Sequence, residues 1–209
     1  MTIALKPLVL AGGKSTRMKA PKHLLRYPDG TPLYQHQVSI LQEACPEANT
    51  IHISLAQDSP LDDLLQSSPE PSALNIIRDL DANATQESAG PAQGLLSAYK
   101  SDPTATWLVV AVDYPLMTAE AVRKLRDAYE TPVTCFQNED GFCEPLVGIW
   151  NPDALQRLLE NVENGRGSSP SVVVRQLGGR QIRVQDGSRV LMNVNTEVEW
   201  TEVLRLLEG

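Results

Sequence analysis

Leu10-Ala11-Gly12-Gly13-Lys14-Ser15-Thr16-Arg17-Met18, followed shortly by Lys22, sets bare backbone beside two side-chain cations where an apolar run ends. Gly12 and Gly13 have no Cβ, so the chain can turn sharply and aim peptide N–H groups at phosphate oxygens. Arg17 offers a planar fork and Lys22 a point charge, and together these groups can grip a triphosphate. A Gly-Gly turn with solvated basic residues is the simpler reading of the same letters, and Arg17 and Lys22 at this spacing shift the balance towards phosphate. Two other phosphate motifs fail. Gly13-Lys14-Ser15 ends like a Walker A loop, but the Gly required five residues earlier is Leu8. The dinucleotide fingerprint G-x-G-x-x-G is absent as well.

Asp113 closes the apolar run Leu108-Val109-Val110-Ala111-Val112. A carboxylate there is costly to desolvate unless it meets a cation or hydrogen-bond donors. A hard cation such as Mg²⁺ takes oxygen ligands and is usually shared between one or two carboxylates and substrate phosphates. Asp113 equally suits a cap on the turn before Pro115 and the helix after Thr118, and the residues alone leave both readings open. Asp79 and Asp81 stand before a long polar loop that reaches Gly90-Pro91. Near the end of the chain, Thr196 and Glu199 form a T-x-x-E capping box, preceded by Asn193 and Asn195. The histidines (His23, His36, His52) and cysteines (Cys45, Cys135, Cys143) lack zinc-ligand spacing, and three scattered cysteines suit reduced thiols better than a disulfide framework. No Ser/His/Asp triad supports a covalent route.

These groups must be positioned by a regular scaffold. Strands are predicted at Pro7 to Ala11, Thr50 to Leu55, Leu74 to Ile77, Thr106 to Val112 and Pro132 to Phe136, with an extended Glu144 to Trp150. Helices are predicted at Leu33 to Ala44, Leu61 to Leu65, Gln93 to Lys100, Ala119 to Tyr129, Leu155 to Asn161 and Val198 to Leu207. The alternation implies a Rossmann-like α/β fold, a three-layer α/β/α arrangement around a mostly parallel sheet. Ligands of such sheets sit beyond the carboxyl ends of the strands. The glycine loop, Asp79 and Asp113 all leave strands at that end, so they can converge on one crevice.

Composition narrows the partners. A chain of 209 residues that is 42% hydrophobic can bury one substantial core, and no linker, repeat or low-complexity tract divides it, so residues 1–209 are expected to form one domain. A net charge of -8 argues against a general nucleic-acid or anionic-membrane surface. The apolar stretch from Ile3 to Ala11 is interrupted by Lys6 and Pro7 and is too short for a spanning helix or a signal peptide, which gives a cytoplasmic expectation.

The first block resembles the nucleotidyltransferase signature L-A-G-G-x-S-x-R-M-x-x-x-K, and is most similar to that of the molybdenum cofactor guanylyltransferase family. Gly90-Pro91-Ala92-Gln93-Gly94-Leu95-Leu96 resembles that family's G-P-L-A-G-[ILM], Val112-Asp113-Tyr114-Pro115-Leu116 its C-D-M-P-[FL], and Asn193-Val194-Asn195-Thr196 its N-[IFV]-N-T. The blocks follow the family's order from residue 10 to residue 196. Glu144-Pro145-Leu146 resembles the strand before its acceptor region, without an assigned role.

The resemblance implies a Mg²⁺-dependent transfer of GMP from GTP to molybdopterin or its molybdenum form, with proteins of molybdoenzyme maturation as partners. It implies that Leu10, Ala11, Gly12, Gly13, Lys22, Asp79, Gly90 and Asp113 bind the nucleotide, that Arg17, Lys22 and Asp113 serve catalysis, that Asp113 holds the metal, and that Asn193 and Asn195 contact the acceptor. Asp81 competes with Asp79 for the guanine role. Gly12 favours guanine, since related cytidylyltransferases carry L-A-A-G. The chain departs from the family at Lys19 and Gln93, and lacks an Asn near Ser54 to Asp58. CTP or another phosphorylated acceptor, or a non-catalytic nucleotide-binding regulator, are the alternatives.

Overall fold

The computed structural model describes residues 4–12, 18, 21–57, 59, 74–79, 92–185 and 187–208. Strand β1 (Leu5–Leu10) opens the chain, followed by a 3-10 turn at Lys22–Leu24, α1 (Leu33–Ala44), β2 (Ile51–Leu55) and β3 (Leu74–Arg78). After these come α2 (Ala92–Ser101), β4 (Thr106–Ala111), α3 (Ala119–Asp127), β5 (Val133–Gln137) and β6 (Cys143–Trp150). The chain ends with α4 (Pro152–Glu163), α5 (Pro170–Gln176), β7 (Arg180–Arg183) and α6 (Glu197–Glu208). Among the described residues the strands form one sheet in the order β3-β2-β1-β4-β6-β5-β7.

β4 is buried at all six positions and β2 at all five, the pattern of strands covered on both faces. Burial of Leu8, Val9, Ile53, Leu108, Val109 and Val110 on this sheet, with Leu41, Leu95, Val122 and Leu155 from the helices, builds a single continuous core. The order reverses between β1 and β4: β2 and β3 lie on one side of β1, while β4 pairs with it in parallel on the other. That reversal is the topological switch point, where the loops following the two strands diverge and leave a crevice.

The expected mostly parallel α/β sheet is present. β6 pairs antiparallel with both β4 and β5, and β7 returns parallel to β5, so one strand runs against the other six. Two elements escaped the sequence reading. β7 is an edge strand of mostly exposed charged and polar residues, with no alternating apolar face to announce it. α5 contains Val172-Val173-Val174, which reads locally as strand, yet Pro170 at its start and the burial of Val173 and Val174 favour a helix. The predicted helix at Leu61 to Leu65 lies outside the described residues. No described helix is long and apolar enough to cross a membrane.

Candidate active site

Pairing continues one step beyond the strand ends at the switch point. The Val112 amide donates to the Leu10 carbonyl at 2.9 Å and the Ala11 amide to the Ser54 carbonyl at 2.9 Å. Ala11-Gly12 and Asp113 therefore leave the sheet side by side.

Three backbone carbonyls after β4 accept hydrogen bonds from three separate parts of the chain. The Asp113 carbonyl takes the Val194 amide at 2.8 Å, the Tyr114 carbonyl takes Gln37 Nε2 of α1 at 2.7 Å, and the Pro115 carbonyl takes the Tyr27 hydroxyl at 2.6 Å. Held at three consecutive residues, the turn presents the Asp113 side chain in a fixed position. Asp113 Oδ1 is buried without a hydrogen-bond partner among the described atoms, and Oδ2 lies 3.7 Å from Lys22 Nζ. Burial pushes the carboxyl above its usual range, and the Lys22 ammonium pulls only partly against that. The cap on the helix at Thr118 comes from Thr118 itself, whose Oγ1 accepts the Ala121 amide, so the capping role considered for Asp113 at that helix is already filled.

Lys22 begins the 3-10 turn, and its ammonium donates to Asn195 Oδ1 at 2.7 Å. The turn sends neighbouring His23 inward: it is 5% exposed, with Nε2 3.4 Å from Ser59 Oγ. Burial lowers its affinity for a proton, against a hydrogen bond to the Ala11 backbone. Asn195 is held by the predicted capping box. Glu199 Oε2 accepts the Asn195 and Thr196 amides at 2.6 and 2.8 Å, and Thr196 Oγ1 accepts the Glu199 amide at 3.3 Å. Asn193 is exposed on the other side of buried Val194.

Asp79 follows β3 and is 5% exposed. Ser54 Oγ donates to its Oδ1, its backbone amide donates to the Leu55 carbonyl at 2.8 Å, and Gln57 Nε2 reaches its carbonyl at 2.7 Å. Burial raises its carboxyl above the ordinary range, with the Ser54 hydrogen bond opposing. The carboxylate lies directly against Gly12: a Cβ at residue 12 would overlap Asp79 Oδ2 and stand 3.2 Å from the Ala56 amide nitrogen. In this arrangement the missing side chain of Gly12 makes room for Asp79. Gly12→Ala is accordingly expected to cost about 1–3 kcal/mol of stability, as overpacking does, and to lower the Tm by several degrees in a calorimetric scan. An unchanged Tm would show that Asp79 moves aside freely.

Gly94, in the first turns of α2, is equally close-packed, since a Cβ there would come 2.7 Å from Leu10 Cδ2 and 3.0 Å from Ser54 Oγ. Gly13, Arg17, Asp81 and Gly90 lie outside the described residues. Leu10, Ala11, Gly12, Asp79, Lys22, Asp113 and Asn195 thus meet around one end of the sheet. Sequence reasoning missed Ser54, Gln37 and Tyr27, which position the others. None carries a local signal beyond being a polar residue on a buried stretch. The cysteines are free thiols, Cys45 and Cys135 buried and Cys143 half-buried.

The chain is similar to known proteins over nearly its whole length. Residues 7–181 match the family model of the MobA-like NTP transferase domain. A probable molybdenum cofactor guanylyltransferase from Mycobacterium avium is 30% identical over 200 residues, covering 95% of this chain and 94% of that protein. A molybdenum cofactor biosynthesis bifunctional protein from Synechocystis is also 30% identical over 200 residues, but the chain spans about half of that relative, 52% of its length. The solved structure of molybdopterin-guanine dinucleotide biosynthesis protein A from Archaeoglobus fulgidus shares the fold, with a TM-score of 0.73 over 98% of this chain and 99% of that one at 16% identity.

Proposed function

The chain belongs to the MobA-like NTP transferase family and is a nucleotidyltransferase, and from that premise we propose that it transfers GMP from GTP to molybdopterin or its molybdenum form. An anionic phosphate oxygen of the acceptor attacks the α-phosphorus in line. A new phosphorus–oxygen bond forms as the bond to the β-phosphate bridging oxygen breaks, and pyrophosphate leaves. The attacking oxygen is already deprotonated, so no protein nucleophile or general base is required.

The observation that carries this reading is the half-buried Asp113 carboxylate, whose Oδ1 is buried and unpartnered among the described atoms and whose Oδ2 faces Lys22, itself bonded to Asn195. A buried carboxylate oxygen without a donor suits a hard cation, and Asp113 would hold Mg²⁺ together with oxygens of the substrate. When bound, the ion neutralises charge that develops on the phosphates during transfer. The chain's own part is positioning. The Gly12 backbone N–H and the amino end of α2 would face the nucleotide with donors and a favourable dipole, the Ala11 N–H being held by Ser54. Lys22 supplies a cation to the triphosphate or the acceptor phosphate, and Asn195 fixes where that cation stands. As the family resemblance implies, Arg17 and Gly13 would extend the same grip, Gly90 and Asp79 would bind the nucleotide, and Asn193 the acceptor.

A pyrophosphate-release screen of GTP, CTP, ATP and UTP against molybdopterin and sugar phosphates tests the assignment. Release with GTP and molybdopterin supports it; release with CTP or with a sugar phosphate alone moves the base or the acceptor. Binding of GTP without release from any pair would favour a regulatory protein. Thermal protection offers a second measurement. GTP with Mg²⁺ at a hundredfold excess over its Kd should stabilise the fold by about 2.7 kcal/mol, and CTP with Mg²⁺ at the same concentration by less. Equal shifts with all four nucleotides would remove the guanine assignment.

A further inference from the structure

The antiparallel register of β6 against β4 pairs Val110 with Val147. Beyond that last pair the Tyr114 hydroxyl, one residue after Asp113, reaches the Glu144 carboxylate, so Glu144 stands near the carboxyl end of β4. The β5–β6 ladder is broken at the same height: Cys135 pairs with Gly148, but the next residue, Phe136, pairs with Glu144. Residues 145–147 are extra on the β6 side. Such bulges redirect side chains, and they recur beside active sites.

Glu144 is half-buried, and its carboxylate is fixed by two donors, the Tyr114 hydroxyl on Oε2 at 2.7 Å and Asn138 Nδ2 on Oε1 at 3.0 Å. Tyr114 is the neighbour of Asp113. Each carboxylate oxygen has two lone pairs, so one on each remains for a ligand. The hairpin tip beside it is rigidly tied. The Asn138 amide donates to the Phe142 carbonyl at 2.9 Å, the Phe142 amide to Asn138 Oδ1 at 2.9 Å, and the Gly141 amide to the Asn138 carbonyl at 3.0 Å. This holds Phe142 69% exposed, a large aromatic left in solvent two residues before Glu144. Phe142 immediately precedes β6, on the same arm of the hairpin as Glu144.

We propose that Glu144 and Phe142 form the subsite for the acceptor's ring, a planar heterocycle that presents a ring N–H and an adjacent amino group. The carboxylate accepts both donors in parallel, Phe142 covers the ring face, and the acceptor's phosphate then extends towards Asp113 and Lys22. Sheet order supports the division of labour. The Gly12 loop and Asp79 follow β1 and β3, and β6 lies on the opposite side of β4 from them. The choice of ring rests on the function proposed above.

The test titrates the full chain with two fluorescent probes, 6-hydroxymethylpterin and 6-hydroxymethyllumazine, in which an oxo group replaces the amino donor. The unmutated protein should prefer the pterin by about tenfold or more, the effect of one hydrogen bond to a charged group. Glu144→Gln should erase that preference, and Phe142→Ala should weaken both probes about fivefold. In steady-state transfer, Glu144→Gln should raise the KM for the acceptor and leave the KM for GTP unchanged. Equal binding of both probes by the unmutated protein, binding of neither, or a preference retained in Glu144→Gln would overturn the subsite. A fall in kcat with an unchanged acceptor KM would also overturn it, reducing Glu144 to a tether for Tyr114. Should Glu144→Gln not fold, the unmutated protein's preference and Phe142→Ala decide the matter. A pterin preference without pyrophosphate release from GTP in the presence of molybdopterin would sink the proposed function while leaving the subsite standing.

Discussion

Asp113→Asn is expected to leave the protein folded and to slow pyrophosphate release by on the order of 10²- to 10³-fold, the usual loss when one preorganised electrostatic contact is removed. The change keeps the size of the side chain and removes the charge that would hold Mg²⁺. Partial recovery at high Mg²⁺ would indicate weakened ion binding. Stability should move the other way or not at all. The folded carboxyl binds its proton more tightly than the unfolded one, chiefly because of burial. Its contribution to stability is therefore present at low pH and lost as pH rises from the unfolded value through the raised folded one. At neutral pH the folded state bears the cost of a half-buried charge that Lys22 offsets only in part, and asparagine removes that charge. A Tm equal to or above that of the unmutated protein is the expected result. Full activity in this variant would end the metal role.

The same carboxyl gives a pH signature. A proton and a cation compete for Asp113, so transfer by the unmutated enzyme should fall on acidification at a pH above the ordinary carboxylate value of 3.8. Raising Mg²⁺ should move that fall to lower pH. A pH–rate profile that ignores Mg²⁺ concentration would assign the fall to another group.

Lys22→Ala carries the second large effect. Its ammonium bonds Asn195 at 2.7 Å and lies 3.7 Å from Asp113, bringing together residues 173 positions apart. Loss of that cation should reduce kcat/KM for GTP by on the order of 10²-fold, with the Tm within a few degrees because the side chain leaves a short surface turn. Lys22→Arg should restore little. A planar guanidinium does not fit where a point charge stands between two oxygens. Calorimetric titration with GTP and steady-state kinetics check both variants. Unchanged kinetics would leave Lys22 as a strut between the C-terminal segment and Asp113.

The sequence by itself determined the local pieces of this molecule. Helix α1 falls where its apolar spacing predicts, and five strands lie within about two residues of their expected ends, because side-chain periodicity is a property of a short window. Capping by Thr196 and Glu199 was legible for the same reason: both partners lie within one turn. Asp113 could be singled out because an acid ending a fully buried strand conflicts with its surroundings on paper as it does in the fold.

What needed the tertiary structure was every relation across the sheet. The direction of β6, the contact of Glu144 with Tyr114, the three clamps on the turn after β4 and the meeting of Lys22 with Asn195 depend on which strands become neighbours and in what register. Asp79 shows the difference most clearly. Its letters place it only before a long polar loop, in competition with Asp81, and the packing of β2 beside β3 puts its carboxylate against Gly12, with Ser54 as its donor. Strand neighbours and register are settled by burial of the whole core, a sum over distant residues that no local window contains.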